Sequence, residues 1–188
     1  MVTMDAARGV GVTYLTSKKF DKPNLINVVK ESINKISEND KKFLKKIISD
    51  FENDDFTLVT PQQIDFLEKN PKSVWAEYLV FRYKFTNFPK DHTDFEIPTH
   101  LIIEPVSACN IRCIMCFQVD ESFSKNQDFM GNMDLDLFKK VVDDAQDIGI
   151  QALTLSGRGE PTLHPKFGEM LDYCKGKFFD LKINTNAT

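Results

Sequence analysis

The chain has 188 residues, of which 41% are hydrophobic and 28% charged, as in ordinary globular proteins. Its formal net charge of -4 does not suggest the basic surface of a nucleic-acid-binding protein. No apolar run approaches the ~20 residues that span a bilayer, and the N-terminus lacks the apolar segment of a secretory signal. The sequence therefore predicts a cytoplasmic protein without nucleic-acid or membrane partners. Its four cysteines are then thiols or metal ligands rather than disulfides.

The first half of the chain has the apolar spacing of helices. Residues 1–22 lack periodicity and are left unassigned. A first helix follows Pro23 and has one apolar face: Leu25, Ile26, Val29, Ile33 and Ile36. A second is predicted over 39–51, and a third begins at Thr60 with a capping box. A fourth, over 71–85, carries aromatic residues interpreted as core: Trp75, Tyr78, Phe81, Tyr83 and Phe85. Residues 87–98, with two prolines, are predicted to be a linker.

The second half alternates between strands and helices, which predicts parallel strand pairing. Strands are expected at 101–104, 152–155 and 181–184. A helix over 134–148 is expected to turn these residues inward: Leu137, Phe138, Val141, Val142, Ala145 and Ile148. A later helix, closed by Gly176, has a second inward face: Phe167, Met170, Leu171 and Cys174. Cys174 is therefore interpreted as a buried apolar residue. Because the chain stops just after the third strand, it is predicted to be the front portion of a longer protein.

Three cysteines lie close together after the first strand of this half. Cys109, Cys113 and Cys116 have the spacing C-x3-C-x2-C. Three thiolates can hold a four-iron cluster and leave one iron open to a small molecule. The alternatives are a zinc site, which normally needs four protein ligands, and three core cysteines without a ligand. None of the three histidines, His92, His100 and His164, lies inside the loop.

Two further motifs accompany the cysteines. With Phe117 directly after Cys116, the cysteine spacing resembles the signature of the radical S-adenosylmethionine (SAM) superfamily. The segment Ser156-Gly157-Arg158-Gly159-Glu160-Pro161 is similar to the G-G-E-P motif of that family, and Asn184-Thr185-Asn186 resembles its T-N segment. The resemblance covers residues 99–188.

This resemblance implies an α/β fold, the N-terminal portion of a partial (β/α)6 TIM-like barrel preceded by a helical region. The expected domains are 1–97, a helical region with its linker, and 98–188, the first three βα units of the core. The resemblance also implies an oxygen-sensitive [4Fe–4S] cluster on Cys109, Cys113 and Cys116. It implies SAM bound by this set: Met115, Phe117, Gly157, Gly159, Glu160, Pro161, Thr185 and Asn186.

The implied reaction is reductive cleavage of SAM to a 5′-deoxyadenosyl radical, which takes hydrogen from a small-molecule, sugar-derived, peptide or protein substrate. An electron donor such as flavodoxin or ferredoxin is implied as a partner. No catalytic residue beyond the cluster is assignable. Gly131-Asn132-Met133 and the loop over 117–130 resemble the SPASM or twitch subgroup, which adds further clusters.

Two departures from the family pattern leave alternatives open. Arg158 stands where the motif usually has its first glycine, and its guanidinium is expected either to reach a SAM or substrate carboxylate or to face solvent. Strands four to six of the barrel are missing. The other interpretations are therefore a non-catalytic, zinc- or cluster-stabilised binding module and an inactive fragment. The helical first half lacks a D-x-H-x-x-G segment, which argues against a cobalamin-dependent methyltransferase.

Overall fold

A computed structural model describes residues 20–92 and 97–188 of the chain. The chain divides into two compact units, one before and one after the gap at 93–96. The interpretations of residues 1–19 and of the middle of the linker lie outside the described residues. Within the two described ranges, no helix has the length and apolar character that a membrane span requires.

The first unit is helical. Its helices are α1 (Lys22–Glu31), α2 (Glu38–Glu52), α3 (Pro61–Lys69) and α4 (Trp75–Asn87), with a 3-10 turn at Lys72–Val74. Asp21 caps α1 by accepting a hydrogen bond from the backbone of Asn24. The predicted capping box of α3 is present between Thr60 and Gln63. Local capping chemistry thus explains where these two helices begin.

The prediction that the aromatic residues of α4 lie in the core is confirmed for three of the five. Trp75, Tyr78 and Phe81 are buried, while Tyr83 and Phe85 are half-buried. The ring of Tyr78 stacks on Phe66 of α3 with centroids 3.7 Å apart. The first helix is shorter than its apolar spacing predicts, because it ends at Glu31 and leaves Ile33 and Ile36 in the following turn.

The second unit is built on a parallel sheet. Its strands are β1 (His100–Ile103), β2 (Ala152–Leu155) and β3 (Asp180–Ile183), in the order β1-β2-β3. Ile103 is in register with Leu155, and Leu155 with Ile183, so the three strands end side by side. The parallel pairing is confirmed, although β1 and β3 lie one residue earlier than predicted. The result is an α/β unit with a small parallel sheet.

Two longer helices cover one face of this sheet. They are α6 (Leu135–Asp147) and α7 (Phe167–Cys174), while a short α5 (Glu121–Ser124) lies in the loop after β1. Short 3-10 helices occupy Phe117–Val119, Gln127–Phe129 and Pro161–Leu163. The two helices share a core with β1 and β2: Ile103, Leu135, Phe138, Val142, Leu153, Leu155, Met170 and Cys174.

The predicted inward face of α6 is too wide. Leu137 and Ile148 are each 52% exposed. Leu137 lies about 100° around the helix from Phe138, on the side outside the buried stripe. Ile148 is the C-cap residue, beyond the last turn. Gly149 follows with φ +88°, a backbone conformation that ends the helix and favours glycine.

Candidate active site at the carboxyl ends of the strands

The loop that follows β1 is closed at its base. Val106 forms an antiparallel bridge with Asn132, and Met133 N donates to Pro105 O at 2.8 Å. Ser107 Oγ accepts from Gly131 N at 2.7 Å and donates to Gly131 O at 3.1 Å. We call residues 131–133 the strap. Residues 108–130, which include the three clustered cysteines, thus form an excursion whose two ends are held together; we call it the cysteine loop.

The three cysteines of this loop are free thiols at its surface. Cys113 is exposed, and Cys109 and Cys116 are half-buried. Cys116 Sγ accepts a hydrogen bond from Gln118 N at 3.5 Å, and Asn186 Nδ2 lies 4.0 Å from Cys109 Sγ. N–H groups directed at sulfur are a recurrent feature around thiolate ligands of iron–sulfur clusters. Cys113 is therefore open, and Cys109 and Cys116 are partly open, to an incoming metal group.

The sulfurs are not already gathered around one ion. In residues 20–92 and 97–188, no set of three or more Cys, His, Asp and Glu side chains is arranged to hold a metal ion. His164 uses both ring nitrogens, one with Met133 O at 2.9 Å and one with Lys166 N at 3.1 Å. Cys174 is buried in the core, as predicted, and burial raises the pKa of its thiol to about 11. Neither residue is thus prepared to act as a fourth ligand.

The loop after β2 packs directly on the start of the cysteine loop, and Gly159 makes this contact possible. A Cβ atom at Gly159 would lie 2.1 Å from Val106 O and 2.5 Å from Ala108 O. The next residue, Glu160, donates its backbone N–H to Ala108 O at 2.8 Å. Only glycine fits here, because its neighbours are backbone atoms that cannot rotate away.

The carboxylate of Glu160 joins the loops after β2 and β3. It is buried, with 2% of the residue exposed. Thr162 and Thr185 donate their hydroxyls to Oε1, both at 2.7 Å, and Asn186 N donates to Oε2 at 2.7 Å. Burial alone would raise the pKa of Glu160, but the hydrogen bonds from Asn186, Thr185 and Thr162 outweigh it and lower this pKa to about 2. The buried carboxylate is therefore ionised at neutral pH and bonded by the protein itself.

The guanidinium of Arg158 pairs with Glu104, the residue after β1, while 36% of the Arg158 side chain remains exposed. Arg158 Nη2 lies 2.6 Å from Glu104 Oε1, and its backbone N donates to Oε2 at 2.7 Å. Although burial opposes it, this bonding keeps the pKa of Glu104 below its ordinary value. Gly157 permits the pairing, since a Cβ there would lie 2.5 Å from Glu104 Oε2.

We expect Arg158→Met to lower the free energy of unfolding by about 2 kcal/mol, because it leaves a half-buried carboxylate with one backbone donor. Replacing both partners, with Arg158→Met and Glu104→Gln, should cost less than the sum of the single changes. A double-mutant cycle by urea unfolding measures this coupling, which we place at about 1–2 kcal/mol. A coupling near zero would show that the pair contributes nothing to the fold.

Aromatic rings of the cysteine loop stack beside Arg158. Phe117 meets Phe123 edge-on at 5.2 Å, Phe123 stacks on Phe129 at 5.2 Å, and the Arg158 guanidinium lies 5.2 Å from the Phe123 centroid. Phe117 is nevertheless half-exposed, and Met115 is almost fully exposed. Both apolar side chains therefore offer contact surface next to the cysteines.

A comparison with protein-family models decides the family. Residues 103–188 match the model described as the radical SAM superfamily. This part of the chain belongs to the radical SAM superfamily. Its cofactors are accordingly a [4Fe–4S] cluster and SAM. The match begins in β1 and includes the cysteine loop and the loops after β2 and β3.

Curated relatives align with the radical SAM segment. The tungsten-containing aldehyde ferredoxin oxidoreductase cofactor-modifying protein of Pyrococcus furiosus is 41% identical over 90 residues, 47% of this chain and 24% of that protein. The antilisterial bacteriocin subtilosin biosynthesis protein AlbA of Bacillus subtilis is 30% identical over 95 residues, 50% and 20% of the two chains. The mycofactocin maturase MftC of Mycobacterium tuberculosis is 30% identical over 92 residues, 49% and 22%.

The matched part of the chain spans about a quarter or less of the length of these relatives. Because one of them is named a maturase, the relatives of the radical SAM segment include enzymes. No solved structure matches the chain.

The residues present fit the two cofactors. Three accessible thiols without a prepared fourth ligand suit a cluster that keeps one iron open, whereas a structural zinc site is closed by four ligands. Among the described residues, the buried Oε1 atom of Gln118 has no hydrogen-bond partner. This buried acceptor, two positions after Cys116, is thus left unsatisfied by the described part of the chain.

The structure also identifies site residues that sequence reasoning missed. Glu104, Ser107 and Gln118 all take part in contacts between the loops. Glu104 could have been noticed, since it directly follows a strand of a parallel sheet. Gln118 carries no sequence signal, because nothing in its neighbourhood distinguishes it from an exposed loop residue.

Proposed function

We propose that this chain is part of a radical SAM enzyme in which Cys109, Cys113 and Cys116 bind the [4Fe–4S] cluster. The observation that carries the proposal is the meeting of three strand-end loops. The cysteine loop contacts Gly159, and Glu160 bonds the segment at Thr185 and Asn186. Parallel α/β sheets bind their ligands at this edge.

In this proposal SAM lies against the loops after β2 and β3. Gly157 and Gly159 let the loop after β2 pack directly on Glu104 and on residues 106–108, and the buried Pro161 begins the 3-10 turn after Glu160. Met115 and Phe117 supply apolar surface for the adenine ring. The Glu160 carboxylate accepts its hydrogen bonds from the protein itself. We therefore propose that its role is to hold Thr185 and Asn186 in the position where they contact SAM.

When bound, the cluster and SAM supply one-electron reductive cleavage to a 5′-deoxyadenosyl radical that abstracts hydrogen from the substrate. The protein's own contribution is to orient and shield. The strap holds the cysteine loop at its base, and the Glu104–Arg158 pair fixes the β2 loop against β1. Rigid placement of this kind is what positions reacting groups.

For the substrate we propose a peptide, a protein or a sugar-derived molecule. One relative is named for the biosynthesis of a bacteriocin and another as a maturase, which supports a modification reaction. A flavodoxin or ferredoxin is the proposed electron donor. The complete sheet is proposed to be a partial (β/α)6 barrel, of which β1–β3 form the first part.

The test is anaerobic reconstitution of the chain with iron and sulfide, followed by EPR of the dithionite-reduced protein. We expect about four irons per chain and a signal that shifts when SAM is added. Cys109→Ala, Cys113→Ala and Cys116→Ala should each abolish the signal. Cys174→Ala is the matched control and should keep it, because Cys174 is a core residue.

Other outcomes would contradict the proposal in different ways. One zinc per chain and no iron–sulfur signal would establish the zinc-stabilised binding module instead. A cluster signal that does not respond to SAM would confirm the three ligands and refute a SAM site within this chain.

A further inference from the structure

Gln118 is an unusual residue in the cysteine loop. Only 1% of its surface is exposed, whereas the other residues of this loop are exposed or half-buried. It lies in the 3-10 helix Phe117–Val119, two positions after Cys116. A polar amide is buried at such a place only when hydrogen bonds compensate for the loss of water.

The side chain of Gln118 joins two other strand-end segments. Its Nε2 atom donates to Ser107 O at 2.6 Å and to Arg158 O. Because both acceptors are carbonyl oxygens, the NH2 group has to face them, which fixes the orientation of the amide. Ser107 is in turn bonded to Gly131 of the strap. One amide thus connects the end of β1, the strap and the β2 loop.

The backbone of Gln118 connects this network to a cysteine. Gln118 N donates to Cys116 Sγ at 3.5 Å. The backbone of Cys116 is bonded to Cys113 O and to Val119 N. The hydrogen bond from Gln118 N reaches the sulfur itself, so it connects Cys116 Sγ to the residue whose amide is anchored at Ser107 and Arg158.

We propose that Gln118 is the positioning residue for Cys116 and acts through its two amide hydrogen bonds. The proposal rests on the proposed function, because it takes Cys116 as a cluster ligand. In this role Gln118 sets the distance between the third cysteine and the β2 loop, and so between the cluster and SAM.

The test compares Gln118→Met, which keeps the size of the side chain but loses both donors, with Gln118→Glu, which places a carboxylate against two carbonyl oxygens. Gln127→Met, at an exposed position of the same loop, is the matched control. The first readout is the alkylation rate of each cysteine in the cluster-free chain, followed by mass spectrometry. The buried Cys174 reports whether the unit stays folded.

We expect both Gln118 variants to raise the alkylation rate of Cys116 about tenfold by local opening, while Cys174 stays protected and Gln127→Met changes nothing. After reconstitution, iron content should fall at least about twofold, with an altered EPR signal. A Cys116 rate within about twofold of the unchanged chain in Gln118→Met would overturn the proposal. An equal rise at Cys174 would do so as well, since it would indicate global unfolding rather than a local role.

This experiment separates the two proposals. Alkylation is measured without a cluster, so it tests the role of Gln118 even in a chain that takes up no iron. An unchanged chain without iron would refute the proposed function. An unchanged chain with iron, together with a normally behaving Gln118→Met, would refute only the role of Gln118.

Discussion

Gly159→Ala is expected to lower the free energy of unfolding by about 3 kcal/mol or more. The added methyl group would lie 2.1 Å from Val106 O and 2.5 Å from Ala108 O. Neither oxygen can move without displacing the start of the cysteine loop, so the loops after β1 and β2 have to separate. Urea unfolding at neutral pH measures the loss. A chain that still folds should also fail to show the SAM-dependent EPR shift.

Gly168→Ala is the matched control for this change. Gly168 lies in α7 of the same unit, and nothing stands within 4 Å of the Cβ that it would gain. Alanine in a helix is more stable than glycine by up to about 1 kcal/mol, so this variant should be slightly stabilised. A loss below about 1 kcal/mol for Gly159→Ala would mean that the two loops separate freely, contrary to the packing described above.

Glu160→Gln is expected to cost about 3 kcal/mol at neutral pH, by the linkage between a pKa shift and stability. The carboxylate accepts hydrogen bonds on both oxygens, whereas a glutamine would turn its NH2 group toward one of these donors. The free energy of unfolding from urea titrations at several pH values measures the effect. Glu169→Gln, on the exposed side of α7, is the control and should change little.

The sign of the pH dependence follows from the direction of the shift. The pKa of Glu160 is lowered from 4.5 to about 2 in the folded chain. Its contribution is therefore fully present above about pH 4.5 and is lost as the pH falls toward 2. The difference between the unchanged chain and Glu160→Gln should narrow over this window. A difference that stays constant with pH would show that the Glu160 carboxylate is not selectively stabilised in its charged form.

Features that depend on neighbouring residues were predictable from the sequence. The capping box at Thr60 and the position of β2 follow from local spacing, and the structure has both. The burial of Cys174 follows from helical periodicity in the same way. The motif residues Gly159 and Glu160 were also found, because a family signature keeps them close together in the chain.

Contacts between distant segments were not predictable. Arg158 and Glu104 are 54 positions apart, and Gln118 and Arg158 are 40 apart, so no local pattern links them. The bonds from Thr185 and Asn186 to the Glu160 carboxylate join residues 25 and 26 positions apart, and only the fold reveals them. The width of the buried helix face was predicted incorrectly for a related reason. Periodicity does not show where the contact between a helix and the sheet ends, as at the exposed Leu137 of α6.

The strap has a consequence for how this architecture can diversify. Because residues 131–133 hold the far end of the cysteine loop against residues 105–107, a change in length between 119 and 130 would displace the stacked rings of Phe123 and Phe129 but not the paired ends of the loop. The chain entropy of a closed loop grows only logarithmically, by about 0.6 kcal/mol for each doubling. Insertions in this span therefore cost little conformational entropy. The surface beside the cysteines can change in evolution while the paired ends of the loop and the sheet keep their structure.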